Sequence, residues 1–175
     1  MIQTILYATD LGWFSPHIMQ HVVTLAEKFD AKVVVVHAIE PFGLLGSGSA
    51  VVKSFIAEDL LDDEDSRLER MKSEIKNRVV DSYAEEYMLG EAGLATIKDV
   101  IIEQGHPADV ILNEAINQCA DMIVMGRHGQ HAIDPNLLGS VTSKVLQLAK
   151  IPVYMVPVMK PMVIEKRGIS FSLKP

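Results

Sequence analysis

Five short apolar runs recur along the chain, and between them apolar residues return at helical spacing. Residues 2–8 are apolar and β-prone, and they predict a first strand that Thr9-Asp10-Leu11-Gly12 breaks. Pro16 suits the first turn of a helix, with Ser15 as its cap. Ile18, Val22, Leu25, Ala26 and Phe29 then predict an amphipathic helix over residues 17–29. The run KVVVVHAI at residues 32–39 is apolar at nearly every position, the mark of a parallel strand covered on both faces. Residues 41–49 are rich in glycine and serine and predict a loop. Residues 51–89 form the longest helical stretch, striped by Ile56, Leu60, Leu68, Met71, Ile75, Val79, Tyr83 and Tyr87. The acidic run Asp62-Asp63-Glu64-Asp65 interrupts that stripe and predicts a break or two helices, with the run itself a solvated face and a metal site the alternative. Gly90 and Gly93 close the region, and residues 94–103 predict a third strand. Gly105-His106-Pro107 opens a helix to about Gln118, with Val110, Ile111, Ala115 and Ile116 on its buried side. Residues 122–125 are a fourth strand, residues 141–149 a helix carrying Val141, Val145, Leu146 and Leu148, and residues 152–156 a fifth strand.

Strands and helices therefore alternate throughout. This predicts an α/β fold: a single doubly wound domain, with a five-stranded parallel sheet and helices on both faces. In such sheets the ligand crevice lies at the carboxyl ends of the strands, where the winding direction reverses. Asp10 follows the first strand and Gly126 the fourth, so both belong to that edge. The domain is expected to span residues 1–157. Residues 158–175, rich in proline and mixed charge, are expected to be an extension that docks on a neighbouring subunit or sheet edge.

Composition narrows the function. The chain has 175 residues, 49% hydrophobic and 22% charged, enough for one core. A net charge of -7 argues against a general nucleic-acid binder, which needs a basic footprint. The single cysteine, Cys119, has no partner for an internal disulfide, so a cytoplasmic setting is expected, with Cys119 as inert packing. MIQTILYATD has no basic n-region or long apolar run, so no secretory leader is expected. No stretch approaches the roughly 18 apolar residues of a membrane span.

The densest candidate chemistry lies between the fourth and fifth strands. Gly126 and Gly129 are followed, after nine further residues, by Gly139-Ser140 at a helix start. Phosphate oxygens need several backbone N–H donors at close range. Glycine lets the backbone approach them, and a helix N-terminus adds free N–H groups and a positive dipole end. Ser143 stands where a capping box would have Glu or Gln, which leaves room for an external anion. Plain turn glycines are the competing reading. Asp10 is either a ligand or a turn cap, and Arg127 either pairs with phosphate or is a solvated cation. There is no G-x-x-x-x-G-K-[ST], no G-x-G-x-x-G after the first strand and no G-x-S-x-G. Walker, dinucleotide and α/β-hydrolase readings fail accordingly. His128 and His131 flank the loop without a catalytic partner. His17 and His21, four residues apart, lack an evident third ligand and read as a surface pair, while His37 reads as a hydrogen-bonded core residue.

Taken together, Gly126-x-x-Gly129, Gly139-Ser-Val-Thr142, Ile151-Pro-Val153, Ile5-Leu-Tyr-Ala-Thr-Asp10, Val36-His-Ala38 and Gly105-His-Pro107 resemble the universal stress protein family. The resemblance covers nearly the whole chain to Val156. It implies, for the ATP-binding branch, that Ala8, Thr9 and Asp10 line the adenosine pocket and that Ala38 touches the base. It further implies that Gly126, Arg127, His128, Gly129 and Gln130, then Gly139, Ser140, Val141 and Thr142, hold ribose and phosphates. Mg2+ or Mn2+ would come with the triphosphate. A homodimer would form through the last strand, with Pro152 and Val156 at its ends. The function implied is a nucleotide-dependent stress-response regulator or switch with at most slow ATP hydrolysis, since no activated nucleophile is evident. A member that binds no nucleotide and serves as an interaction scaffold, through residues 42–61 and the tail, is the alternative. An enzyme on the related adenine-nucleotide α-hydrolase fold is disfavoured, because S-G-G-x-D-S is missing after the first strand. Three departures stand out: the longer turn Asp10-Leu-Gly-Trp-Phe-Ser15, Asp134-Pro135 in the middle of the glycine loop, and the C-terminal tail, which has no counterpart in the minimal family domain and would cover or extend the dimer edge.

Overall fold

The computed structural model describes residues 1–12, 14–40, 64–85, 91–127 and 137–157. The strands are β1 (Thr4–Ala8), β2 (Lys32–Ile39), β3 (Ile97–Gln104), β4 (Met122–Gly126) and β5 (Val153–Val156). The helices are α1 (Ser15–Phe29), α2 (Glu64–Glu85), α3 (Glu91–Thr96), α4 (Pro107–Asn117) and α5 (Ser140–Leu148). All four strand pairings are parallel, in the order β3-β2-β1-β4-β5. The chain thus winds one way from β1 to β3, then reverses and passes β1 to continue with β4 and β5. The doubly wound α/β expectation holds.

Two cores cover the sheet. On one face α1 and α2 pack Ile18, Met19, Val22, Met71, Ile75 and Val79 against Ile5, Tyr7, Val33 and Val35. On the other, α4 and α5 pack Ala108, Ile111, Ala115 and Val145 against Leu6, Ala8, Val34, Val36 and Ile123. Side chains alternate across a strand, so β1 and β2 must be apolar on both sides, and their continuous hydrophobic runs follow.

Several sequence expectations need correction. Residues 94–96 are helical rather than strand, because β3 has a partner only from Ile97, which lies opposite Val33. Before that point the backbone satisfies itself in α3. Thr96 Oγ1 donates to the Gly93 carbonyl, and Lys32 Nζ donates to that of Ala95 at 2.9 Å. Ile116 is 68% exposed, not buried. Ala108, Ile111 and Ala115 form the row that faces the sheet, and Ile116 falls beside it. Cys119 is exposed rather than packed. It adopts the left-handed φ of 48° that ends α4, while Ala120 N–H reaches back to the Ala115 carbonyl and Cys119 N–H to that of Ile116. This is a Schellman closure, which turns the Cys119 side chain outward. The described part of α2 starts at Glu64, inside the acidic run. Residues 41–63, with the expected loop, and the tail 158–175 lie outside the described residues.

Candidate functional site

The β1–β2 register ends at Ala8 opposite Val36, and the β1–β4 register at Ala8 opposite Met125. The next residues on these three adjacent strands are therefore Thr9, His37 and Gly126, side by side at the carboxyl edge. The winding reverses between β1 and β4, so this edge is the crevice at the topological switch point. It brings together Ala8, Thr9, Asp10 and Ala38 from one side and Gly126, Arg127 and the start of α5 from the other.

The β1 exit is a tightly held turn. Thr9 N–H donates to the Val36 carbonyl at 3.0 Å. Thr9 Oγ1 accepts from Leu11 N–H at 3.0 Å and lies 3.0 Å from Ser15 Oγ. Asp10 Oδ1 accepts from Gly12 N–H at 2.9 Å. These are side-chain turns of the kind Thr and Asp favour. Leu11 takes a left-handed φ of 55°, which costs about 1–2 kcal/mol for a bulky residue. Such strain persists only where the surroundings over-determine it. Ser15 was expected to cap α1. Instead it is fully buried as the first helical residue, Phe14 is the cap position, and no side chain caps the helix. The Ser15 hydroxyl serves Thr9, and its carbonyl lies 3.3 Å from Tyr7 Oη.

His37 is buried and bonds the Thr9 carbonyl through Nδ1 at 2.9 Å. A carbonyl only accepts, so Nδ1 carries the proton. Burial holds the imidazole pKa below its usual 6.5, against the opposing pull of the Thr9 bond and the Asp10 charge, and the ring is neutral. The expectation of a hydrogen-bonded core histidine holds. Ser15, Tyr7 and His37 are the residues of this edge that motif reasoning left out of the site. The signal available was polar residues beside a strand end that is otherwise apolar.

On the other side, the ends of the glycine loop are drawn together. Gly139 N–H donates to the Arg127 carbonyl at 3.1 Å, and Arg127 N–H to that of Val156 at 3.0 Å. Thr142 is buried, and its hydroxyl donates to the Gly126 carbonyl at 3.1 Å, fixing α5 to the end of β4. Ser140 was expected as the cap of α5. It is instead the first helical residue, with Gly139 in the cap position in extended conformation and no side-chain cap bond. Ser140 is exposed and Val141 half-buried. The first N–H groups of a helix have no intrahelical acceptor. Gly139 has no side chain with which to close those of Ser140, Val141 and Thr142, and a helix N-terminus of this kind suits an anion. His128, Gly129 and Gln130 lie outside the described residues, as do Trp13, His131 and Asp134-Pro135.

Among the described residues no group of three or more His, Cys, Asp or Glu could hold a metal ion. His17 and His21 do pair on the surface of α1, ring centroids 4.9 Å apart and edge-on. No helix among the described residues is long and apolar enough to cross a membrane.

The universal stress protein family model matches residues 1–157. A universal stress protein of Thermus aquaticus is 31% identical over 159 residues, covering 89% of this chain and 99% of its own. The chain belongs to the universal stress protein family. Universal stress protein MJ0577 of Methanocaldococcus jannaschii is 29% identical, covering 89% of this chain and 95% of its own. The solved structure of MJ0577 superposes with a TM-score of 0.64 at 25% identity, covering 92% of this chain and 99% of that one. A universal stress protein solved in complex with cAMP has the same fold, with a TM-score of 0.62 at 22% identity over 89% of this chain and 97% of that one. The five-stranded sheet and its switch point are thus those of a universal stress protein.

Proposed function

We propose that this universal stress protein binds an adenine nucleotide, ATP in the first instance, between the β1 turn and the start of α5. The observation that carries this reading is the α5 terminus, with a glycine in its cap position, tied by Thr142 and Gly139 to the end of β4 at the switch point. Ala8, Thr9, Asp10 and Ala38 would receive the nucleoside. Gly126, Arg127 and Gly139 to Thr142, with His128, Gly129 and Gln130, would hold ribose and phosphates. Universal stress proteins of this fold solved with cAMP and with dAMP lend support. Backbone N–H groups supply most of the phosphate contacts, so Mg2+ or Mn2+ would arrive on the triphosphate rather than in a protein cage. The sequence offers no activated nucleophile, so any hydrolysis would be slow and the nucleotide would act as a regulatory ligand.

Titration calorimetry with ATP and magnesium tests this. A dissociation constant in the micromolar range is expected, equivalent to about 8 kcal/mol. No heat at millimolar ATP would leave the interaction-scaffold reading in its place.

The family dimer is proposed on a separate observation. The carbonyls of Pro152 and Val156 accept from the N–H groups of Ile123 on β4 and of Arg127 just past it. Backbone groups alternate in direction along a strand, so those of Val153 and Met155 face the other way. Among the described residues no strand pairs with that outer edge. A second copy would pair there.

A further inference from the structure

His37 is a buried titratable group that the nucleotide reading leaves without a role. In a regular parallel ladder, the strand β2 that takes Thr9 N–H on the Val36 carbonyl would next return the Ala38 N–H to the Thr9 carbonyl. That bond is not made, since the register stops at Ala8 and Val36. The imidazole makes it instead, with Nδ1 at 2.9 Å from the Thr9 oxygen. A side-chain donor has replaced a backbone donor at the point where β1 must leave the sheet.

We propose that His37 is a positioning residue: its Nδ1–H holds the Thr9 carbonyl so that the turn through Gly12 keeps the shape a bound nucleoside meets. The proposal rests on the nucleotide reading given above. Every polar group of Thr9 is then committed: N–H to Val36, C=O to His37, and Oγ1 to Leu11 and Ser15. Leu11 stays in the left-handed region because its own N–H is held by Thr9 Oγ1 and the N–H of Gly12 after it by Asp10 Oδ1. The exchange also releases the Ala38 N–H from the ladder, on the side of β2 that faces the crevice. Ala38 is the residue expected to touch the base, and a purine ring nitrogen is an acceptor of the kind that N–H would meet. Ser15 and Tyr7 complete the support from beneath.

Two variants separate positioning from packing. Asn places an amide N–H near the Nδ1 position, whereas Leu fills the volume with no donor. His37→Leu is expected to weaken ATP–magnesium binding at least tenfold in calorimetry, and His37→Asn to stay within about threefold of the parent. Amide hydrogen exchange at Leu11 and Gly12 should quicken at least tenfold in His37→Leu, return in His37→Asn, and stay unchanged within β1 for both. Wild-type ATP affinity in folded His37→Leu overturns the proposal, and so does unchanged exchange at both amides. If the parent protein itself takes no ATP, the nucleotide reading has failed, and the hold on the turn is judged by exchange alone. Should His37→Leu not fold, imidazole nitrogen NMR of the parent decides. A protonated Nδ1 is required, and an Nε2–H tautomer overturns the proposal.

Discussion

Asp121 sits at the amino-terminal edge of the sheet, away from the candidate site, and closes the chain's first strand. Its Oδ2 accepts from Gln3 N–H at 2.7 Å and Thr4 N–H at 2.9 Å. Those two bonds, with a smaller pull from the N-terminal amine, hold its carboxyl below the usual 3.8. A carboxylate whose pKa is depressed by folding contributes stability above its unfolded value and loses it as the pH falls through the folded one. Asp121→Asn should therefore flatten the stability curve below about pH 5, with the largest difference from the parent at the upper end of that range. Urea midpoints across that window check it, and parallel curves for the two proteins would contradict it. At this scale the sequence was legible in type but not in partner. Ser15 and Ser140 both read as helix caps, since each precedes or opens a helical run. Yet the Ser15 hydroxyl is taken by Thr9, six residues back around a turn, and Gly139 holds the cap position before Ser140. Local rules weigh a serine against its own helix and are blind to a hydroxyl across the turn.

The elements are set by periodicity, and their ends by neighbours. The apolar runs located all five strands, because a run covered on both faces leaves no polar alternation to misread. The start of β3 was misplaced because its limit is the point where β2 begins, a tertiary fact. The α2 stripe was correct where it can be compared: Met71, Ile75 and Val79 face the core. Lys76 meets Asp99 at 2.8 Å, and Lys72 meets Glu103 at 3.2 Å, joining the exposed flank of α2 to β3. Half-exposed pairs of this kind are worth about 0–1 kcal/mol each, so burial rather than charge docks the helix. The turn from β3 into α4 is more demanding. A Cβ built on Gly105 would lie 2.8 Å from Val110 Cγ2, and Val110 is buried with a stiff β-branched side chain. Gly105→Ala is expected to cost about 1–3 kcal/mol through overpacking, read from urea unfolding with circular dichroism. A change well under that range would mean that α4 shifts freely at its first turn.

For the whole molecule, the strand order decides which edges are open. Among the described residues β3 and β5 are the two edge strands; β3 is joined to α2 by ion pairs at Asp99 and Glu103, while β5 carries the outward backbone groups of Val153 and Met155 and a Tyr154 that is 39% exposed. Light scattering after size exclusion should give a dimer mass. Met155→Pro removes an outward N–H without touching the β4 ladder, and it should give a monomer that unfolds at a similar urea concentration. A dimer that survives this change would place the interface elsewhere.

The same strand order also sets a schedule. β1 leaves the ribosome before the other four strands and is the central one in the sheet. One neighbour, β2, follows directly, but Asp121 and β4 come 118 residues after the strand they complete. At a synthesis rate of about 5–20 residues per second, the apolar flank of β1 waits roughly 6–24 seconds for its second partner. During that interval the nascent β1-α1-β2 unit presents an open, fully hydrophobic strand. The crevice between β1 and β4 is thus the last seam of the sheet to close before β5 is added, and nothing can bind in it until β4 has been made.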